Sequence, residues 1–388
     1  MVIVVNTRLL ISNRLEGIGW FTFETLKRIT LSNPQHRFVF LFDRQYDPQF
    51  IFAPNVTPVV VGPPTRHPLL WYFWFEWRIP AVLKRLKADV FVSTDGYLSL
   101  RSPVPQLTVM HDINFVHRPA DLPWLYSRYY NYFFRRFAKK ADQLVTVSHF
   151  SADDIATTFN IPSNRIDVVP NGCSPDIAPL SIREVESVRA QYSGGNPYFL
   201  YVGALHPRKN IHGLLKAFEL FRSSGNRNEK LIVAGGAMFK TKAISKYLAG
   251  MRFRDEVIFT GRLSSGDLHR VLGAATALTF VPFFEGFGVP ILEAMTAGVP
   301  VICSNTTSLP EVAGEAALYV NPDRTEEIAD AMLTVSISPE LRLSMIQKGF
   351  SEAKRYSWDD SARKLWQSIL SVQSRKEGVD EITMQTHG

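Results

Sequence analysis

At 388 residues the chain is too long for one ordinary hydrophobic core and suits two domains. A content of 46% hydrophobic and 20% charged residues excludes a disordered chain, and two distant cysteines, Cys173 and Cys303, exclude a disulfide scaffold or a CxxC zinc site and point to a reducing, cytoplasmic compartment. The net charge of +7 raises the possibility of nucleic acid, but no recognition motif accompanies it and the basic residues neighbour bulky apolar ones, so nucleic acid is not an expected partner.

The opening run Met1–Asn6 has no basic leader and is expected to form a first strand, not a signal peptide. Ile18, Phe21, Thr25, Leu26 and Ile29 recur at helical spacing, with Gly17-Ile18-Gly19 in front of them. Short apolar strands are expected at 37–42, 56–61, 89–93, 106–110, 143–148 and 166–169. Two aromatic and basic clusters, 69–87 and 124–140, interrupt this series. Their composition is that of helices lying on a membrane surface, and equally that of helices packing a wide core with the cations in solvent. No run reaches the length of a membrane-spanning helix.

After Pro170-Asn171-Gly172 the pattern lapses, which marks a linker, and a second series begins. Strands are expected at 198–202, 230–234, 257–259, 277–282 and 299–303, and Asn210 caps a helix with the stripe Ile211, Leu214, Leu215, Phe218 and Phe221. Buried strands alternating with helices imply an α/β fold of two doubly wound, Rossmann-like domains with parallel sheets, whose ligand lies at the strand C-termini. The domains are expected at 1–175 and 190–355, with a C-terminal helix at 356–374 that packs back on the first.

Three strand ends carry candidate chemistry. Glu285-Gly286-Phe287-Gly288 precedes a short helix with Pro290 in its first turn, Glu293 one turn in and Gly298 as its stop. First-turn amides and the helix dipole suit a phosphate, and carboxylates beside it suit sugar hydroxyls. A glutamate near a helix start is also what the dipole alone favours. Arg208 and Lys209 follow the strand at 198–202 and the turn at Gly203, where two cations before a helix start suit an anionic ligand better than the dipole. His111 ends the strand at 106–110 as a hydrogen-bond donor to a sugar hydroxyl or the reacting centre.

The Glu285-x7-Glu293 motif resembles that of the family 4 retaining, nucleotide-sugar-dependent glycosyltransferases with the GT-B fold. The blocks around Pro207-Arg208-Lys209-Asn210, His111-Asp112, Val147–Ser151 and Ser308–Val312 share the resemblance, which runs from about residue 3 to 370. It implies that Lys209 holds the donor diphosphate, Glu293 the ribose and Glu285 the donor sugar, with the amides of Gly286, Phe287 and Gly288 on sugar and phosphate. It places His111 beside the reacting carbon, and Gly17 and Gly19 in a glycine loop lining the cleft between facing domains. The family often has arginine where this chain has Ala204, and Arg208 is the adjacent substitute. The implied activity is transfer of a hexose, leaning to mannose from GDP-mannose, to a saccharide or lipid-linked acceptor such as a surface polysaccharide precursor. No metal or other cofactor is expected, and the enzyme is expected in the cytoplasm, peripheral to the inner face of the membrane. A nucleotide-sugar epimerase and a non-catalytic nucleotide-sugar-binding subunit are the alternatives on the same fold.

Overall fold

The computed structural model describes residues 1–12, 14–225, 227–236 and 242–385, and the chain divides into two compact units. The first comprises residues 1–117 and 124–171 together with the chain from 357 onward; the second comprises 118–123 and 172–356.

Seven short strands build the first sheet: β1 (Val2–Asn6), β2 (Arg37–Phe42), β3 (Val56–Val60), β4 (Val90–Ser93), β5 (Gln106–Val109), β6 (Gln143–Thr146) and β7 (Ile166–Val168). β4, β5 and β6 are buried along their whole length, the pattern of parallel strands covered on both faces. All neighbours pair in parallel in the order β3-β2-β1-β4-β5-β6-β7, so the strand order reverses between β1 and β4. The helix Gly17–Ser32 buries Phe21, Leu26 and Ile29. The last helix, Trp358–Gln385, belongs to this unit. Trp358 meets Phe21 edge-on at 6.2 Å, Trp366 lies 6.2 Å from Phe38, and Ser361 Oγ donates to the Pro170 carbonyl at 2.6 Å.

Six strands build the second sheet: β8 (Tyr198–Val202), β9 (Lys230–Ala234), β10 (Val257–Gly261), β11 (Ala277–Phe280), β12 (Val301–Ser304) and β13 (Ala317–Val320). Their order, β10-β9-β8-β11-β12-β13, is again parallel throughout and reverses between β8 and β11. The loops leaving those two strands therefore start side by side, which is where an open α/β sheet binds its ligand. Among the described residues no helix is long and apolar enough to cross a membrane.

Candidate functional site

In the second unit, β8 and β11 deliver their cations and carboxylate to one place. β8 ends at Gly203, whose φ of +142° and close approach to the Tyr201 hydroxyl leave no room for a side chain. The chain then makes a tight turn, Pro207–Lys209, closed by the Lys209 amide on the His206 carbonyl at 2.9 Å. Asn210 stands in the left-handed region at φ 57° and caps the helix Ile211–Ser223 through the Gly213 amide. Arg208 donates to the Phe284 carbonyl at 3.0 Å and to the Glu285 carboxylate at 2.9 Å, and Lys209 pairs with the same Glu285 oxygen. The Phe283 amide returns a bond to the Arg208 carbonyl at 2.8 Å, and the Lys209 ammonium lies 4.9 Å from the centre of the Phe280 ring. Burial would raise the Glu285 carboxyl, but Lys209 and then Arg208 hold it below the usual range, so it is a carboxylate at neutral pH.

The loop from Glu285 enters the helix Val289–Thr296 through Gly288. Gly288 has φ +99°, and a Cβ there would fall 2.7 Å from Leu309, so the sharp entry requires glycine. Pro290 occupies the first turn and Gly298 closes the helix at φ +69°, as the sequence leads one to expect. The amides of Phe287, Gly288 and Val289 have no hydrogen-bond acceptor among the described residues. Phe287 and Gly288 are buried, where unpaired amides are uncommon, so an anion arriving here would satisfy them. The carboxyl of Glu293, one turn along, has no hydrogen-bond or ion-pair partner among the described residues, and burial raises it to about 7.

Two residues at this strand end escape the motif reading. His206 is lowered to about 4 by burial and then by Arg208, so it is neutral and its Nδ1 accepts from the Arg208 amide at 3.3 Å. Arg118, from the short 118–123 segment, lies 4.7 Å over the Phe283 ring and pairs with Asp121 at 2.7 Å. No local pattern announces Arg118, because its place is set by a chain crossing. Among the described residues no group of three or more His, Cys, Asp or Glu side chains converges as a metal would need.

The first unit revises the readings of Gly17, Gly19 and His111. Gly17 and Gly19 form no loop: both lie in the first turn of the helix Gly17–Ser32. Gly19 lets the Leu9 carbonyl approach to 3.1 Å of where a Cβ would stand, while Gly17 faces open space. His111 is held by its Nε2 on the Thr94 carbonyl at 3.0 Å and edge-on to Phe21 at 5.1 Å. Burial lowers its pKa, so the neutral ring donates to Thr94 through Nε2 and presents Nδ1 as an acceptor, not the expected donor. Beside it, at the reversal between β1 and β4, lies a buried ion pair that the sequence does not advertise. Arg8 Nε meets Asp95 at 2.6 Å, Asn6 donates to the other Asp95 oxygen at 2.9 Å, and the Arg8 guanidinium lies 4.2 Å over the Tyr97 ring.

Comparison with known proteins gives the family. A family model described as Glycosyltransferase Family 4 matches residues 30–177, and one described as Glycosyl transferases group 1 matches residues 183–352. The chain is 34% identical to O-antigen chain mannosyltransferase B of Escherichia coli over 255 residues, 66% of this chain and 67% of that protein. It is 27% identical to the O-antigen chain mannosyltransferase RfbU of Salmonella typhimurium over 312 residues, 80% of this chain and 82% of that one. Sucrose-phosphate synthase from Thermosynechococcus elongatus superimposes with a TM-score of 0.75 at 17% identity, covering 96% of this chain and 99% of its own. Anabaena HepE, solved in complex with UDP and glucose, superimposes at 0.74 with 16% identity over 95% of this chain and 99% of its own. At such identities the two structures speak for the fold alone. The chain belongs to the family 4 glycosyltransferases, with the GT-B fold, and is a glycosyltransferase.

Proposed function

We propose that this glycosyltransferase moves a mannosyl residue from GDP-mannose to a hydroxyl of a lipid-linked surface-polysaccharide precursor, with retention at the anomeric carbon and no metal ion. The two curated relatives described above are both named as O-antigen chain mannosyltransferases, which supports the sugar and the acceptor class. One observation carries the donor reading: Arg208, Lys209 and Glu285 meet at the strand reversal of the second sheet, and the same loop offers three unpaired amides and an unpartnered carboxyl one turn further on. Lys209 and Arg208 neutralise the departing diphosphate, and the amides of Phe287, Gly288 and Val289 hydrogen-bond its oxygens. Gly286 and Gly203 keep the backbone close to the ligand. Glu293 accepts from the ribose hydroxyls and Glu285 from those of the sugar. On the resemblance alone, His111 stands beside the reacting carbon, accepting through Nδ1.

In the reaction the bond from the anomeric carbon to the phosphate oxygen breaks, and the acceptor oxygen bonds to the same face. The acceptor proton passes to the departing phosphate. Fixed cations and amides supply the charge stabilisation that a divalent ion supplies elsewhere. The test is thermal unfolding with GDP-, UDP-, ADP- and dTDP-sugars, followed by transfer in excess EDTA with the product anomer read by NMR. A selective rise in Tm with GDP-mannose and undiminished transfer of mannose under EDTA are expected. A rise confined to another nucleotide sugar, an inverted product, or loss of transfer under EDTA would overturn the corresponding element.

A further inference from the structure

Folding of the first unit leaves a broad apolar face uncovered. Along the helix Pro68–Phe73 and the π-helical turn Trp74–Arg78, Trp71, Trp74 and Phe75 point inward and are buried. Leu69, Tyr72, Phe73 and Trp77, at positions i, i+3, i+4 and i+8, point outward, with Leu69 71% exposed. The helix Trp124–Lys140 lies alongside and shows the same division: Phe134 and Phe137 are buried, whereas Trp124 is 72% and Tyr132 54% exposed. Between them runs a groove of about 680 Å³ lined by Leu69, Tyr72, Trp124, Leu125, Tyr132 and Phe133. Each of the two helices thus buries one aromatic face and exposes another.

The charge around this groove has one sign. The helix Trp124–Lys140 carries Arg128, Arg135, Arg136, Lys139 and Lys140 and no acidic residue, and all five are exposed. The Pro68–Leu86 stretch has one carboxylate, Glu76, which is buried and accepts from the Leu100 amide at 2.9 Å. Arg136 lies 3.6 Å over the Tyr132 ring and Arg128 5.3 Å over Trp124, so the guanidinium groups sit directly beside the apolar surface.

We propose that this face docks on an anionic lipid bilayer, with Leu69, Trp124 and Tyr132 entering the interface, lipid chains filling the groove, and the arginines and lysines on the surrounding phosphates. A second copy of the chain is a poor occupant, because a symmetric contact through this face would oppose cation to cation. An anionic surface matches the charge, and exposed tryptophan and tyrosine beside cations suit the depth where tails meet headgroups. The proposal deepens the lipid-linked acceptor reading and rests on it, since it names the surface on which that acceptor would be met.

Flotation with phosphatidylglycerol–phosphatidylethanolamine vesicles, against phosphatidylcholine vesicles, tests it. Expected are binding to the anionic vesicles that falls steeply with salt, a blue shift of tryptophan emission on binding, and at least about tenfold weaker binding by Leu69→Glu/Trp124→Glu. Arg135→Gln/Arg136→Gln, which changes no apolar residue, weakens anionic binding in the same assay. Transfer to a water-soluble acceptor without lipid, measured in parallel, stays at the wild-type rate in both variants. Failure to float, binding that ignores both double substitutions, or concentration-dependent self-association through this face without lipid would overturn the surface. Flotation with no transfer from any donor would leave the surface standing and overturn the proposed reaction.

Discussion

Both sheets reverse their strand order, and at each reversal an arginine meets a carboxylate, yet the two places are finished differently. In the first unit Arg8 and Asp95 are sealed, with side-chain exposures of 7% and 3%, and Asn6, Thr65 and the Tyr97 ring complete their contacts. In the second unit Arg208 and Lys209 share the single carboxylate of Glu285, their side chains 21% and 10% exposed, and the adjoining loop leaves amides without acceptors. Topology thus supplies a location, while the loops decide what fills it. A closed pair with every partner in place holds loops together. The second place, beside amides without acceptors, is where the proposed donor diphosphate would bind.

Substitutions can break this contrast. The largest effect is expected at the sealed pair. Asp95→Ala strands a buried guanidinium that Asp95, then Tyr97, holds above its usual pKa against burial, and should cost about 3–5 kcal/mol in denaturant unfolding. Donor affinity of the folded fraction should not change; unaltered stability with lost donor binding would make the first reversal a ligand site as well. Next is Lys209→Ala, expected to lower kcat by about 10²–10³ at saturating donor while the chain stays folded. A wild-type turnover there would remove the diphosphate assignment.

The smallest effect sharpens the picture most. Burial raises the Glu293 carboxyl to about 7 from an ordinary 4.5, so its contribution to stability is present below about 4.5 and is lost as pH rises through about 7. Glu293→Gln should therefore gain stability relative to wild type above pH 7. A ribose hydroxyl donating to the carboxylate favours the charged form, so donor affinity should rise from pH 6 to pH 8. In Glu293→Gln that rise should vanish and binding at pH 8 should weaken about tenfold, read by calorimetry. A pH-independent affinity in wild type would place Glu293 away from the nucleoside.

The second unit was the more legible half. Its strands are short apolar runs, so Pro290, Gly298 and Asn210 follow from spacing and strand ends, whereas Lys209 and Glu285, 76 residues apart, meet only because β8 and β11 are neighbours. β13, Ala317–Val320, is a four-residue apolar run that the sequence reading leaves out, too short to stand apart from the helices around it. In the first unit the strands were readable, but Arg8 and Asp95 lie 87 residues apart and meet only because β1 and β4 are neighbours. Gly17 and Gly19 misled because a glycine pair before an apolar stripe reads as a loop, whereas the helix takes it in. The place of His111 at a strand end is legible in the sequence, whereas its proton position depends on the Thr94 carbonyl.

The chain finishes its second unit before it can finish its first. Trp358, Ser361 and Trp366 close over Phe21, Pro170 and Phe38, and they emerge from the ribosome only after residues 172–356. A nascent chain ending near residue 356 would lack these three contacts, so the first unit stays incomplete until the last helix is made.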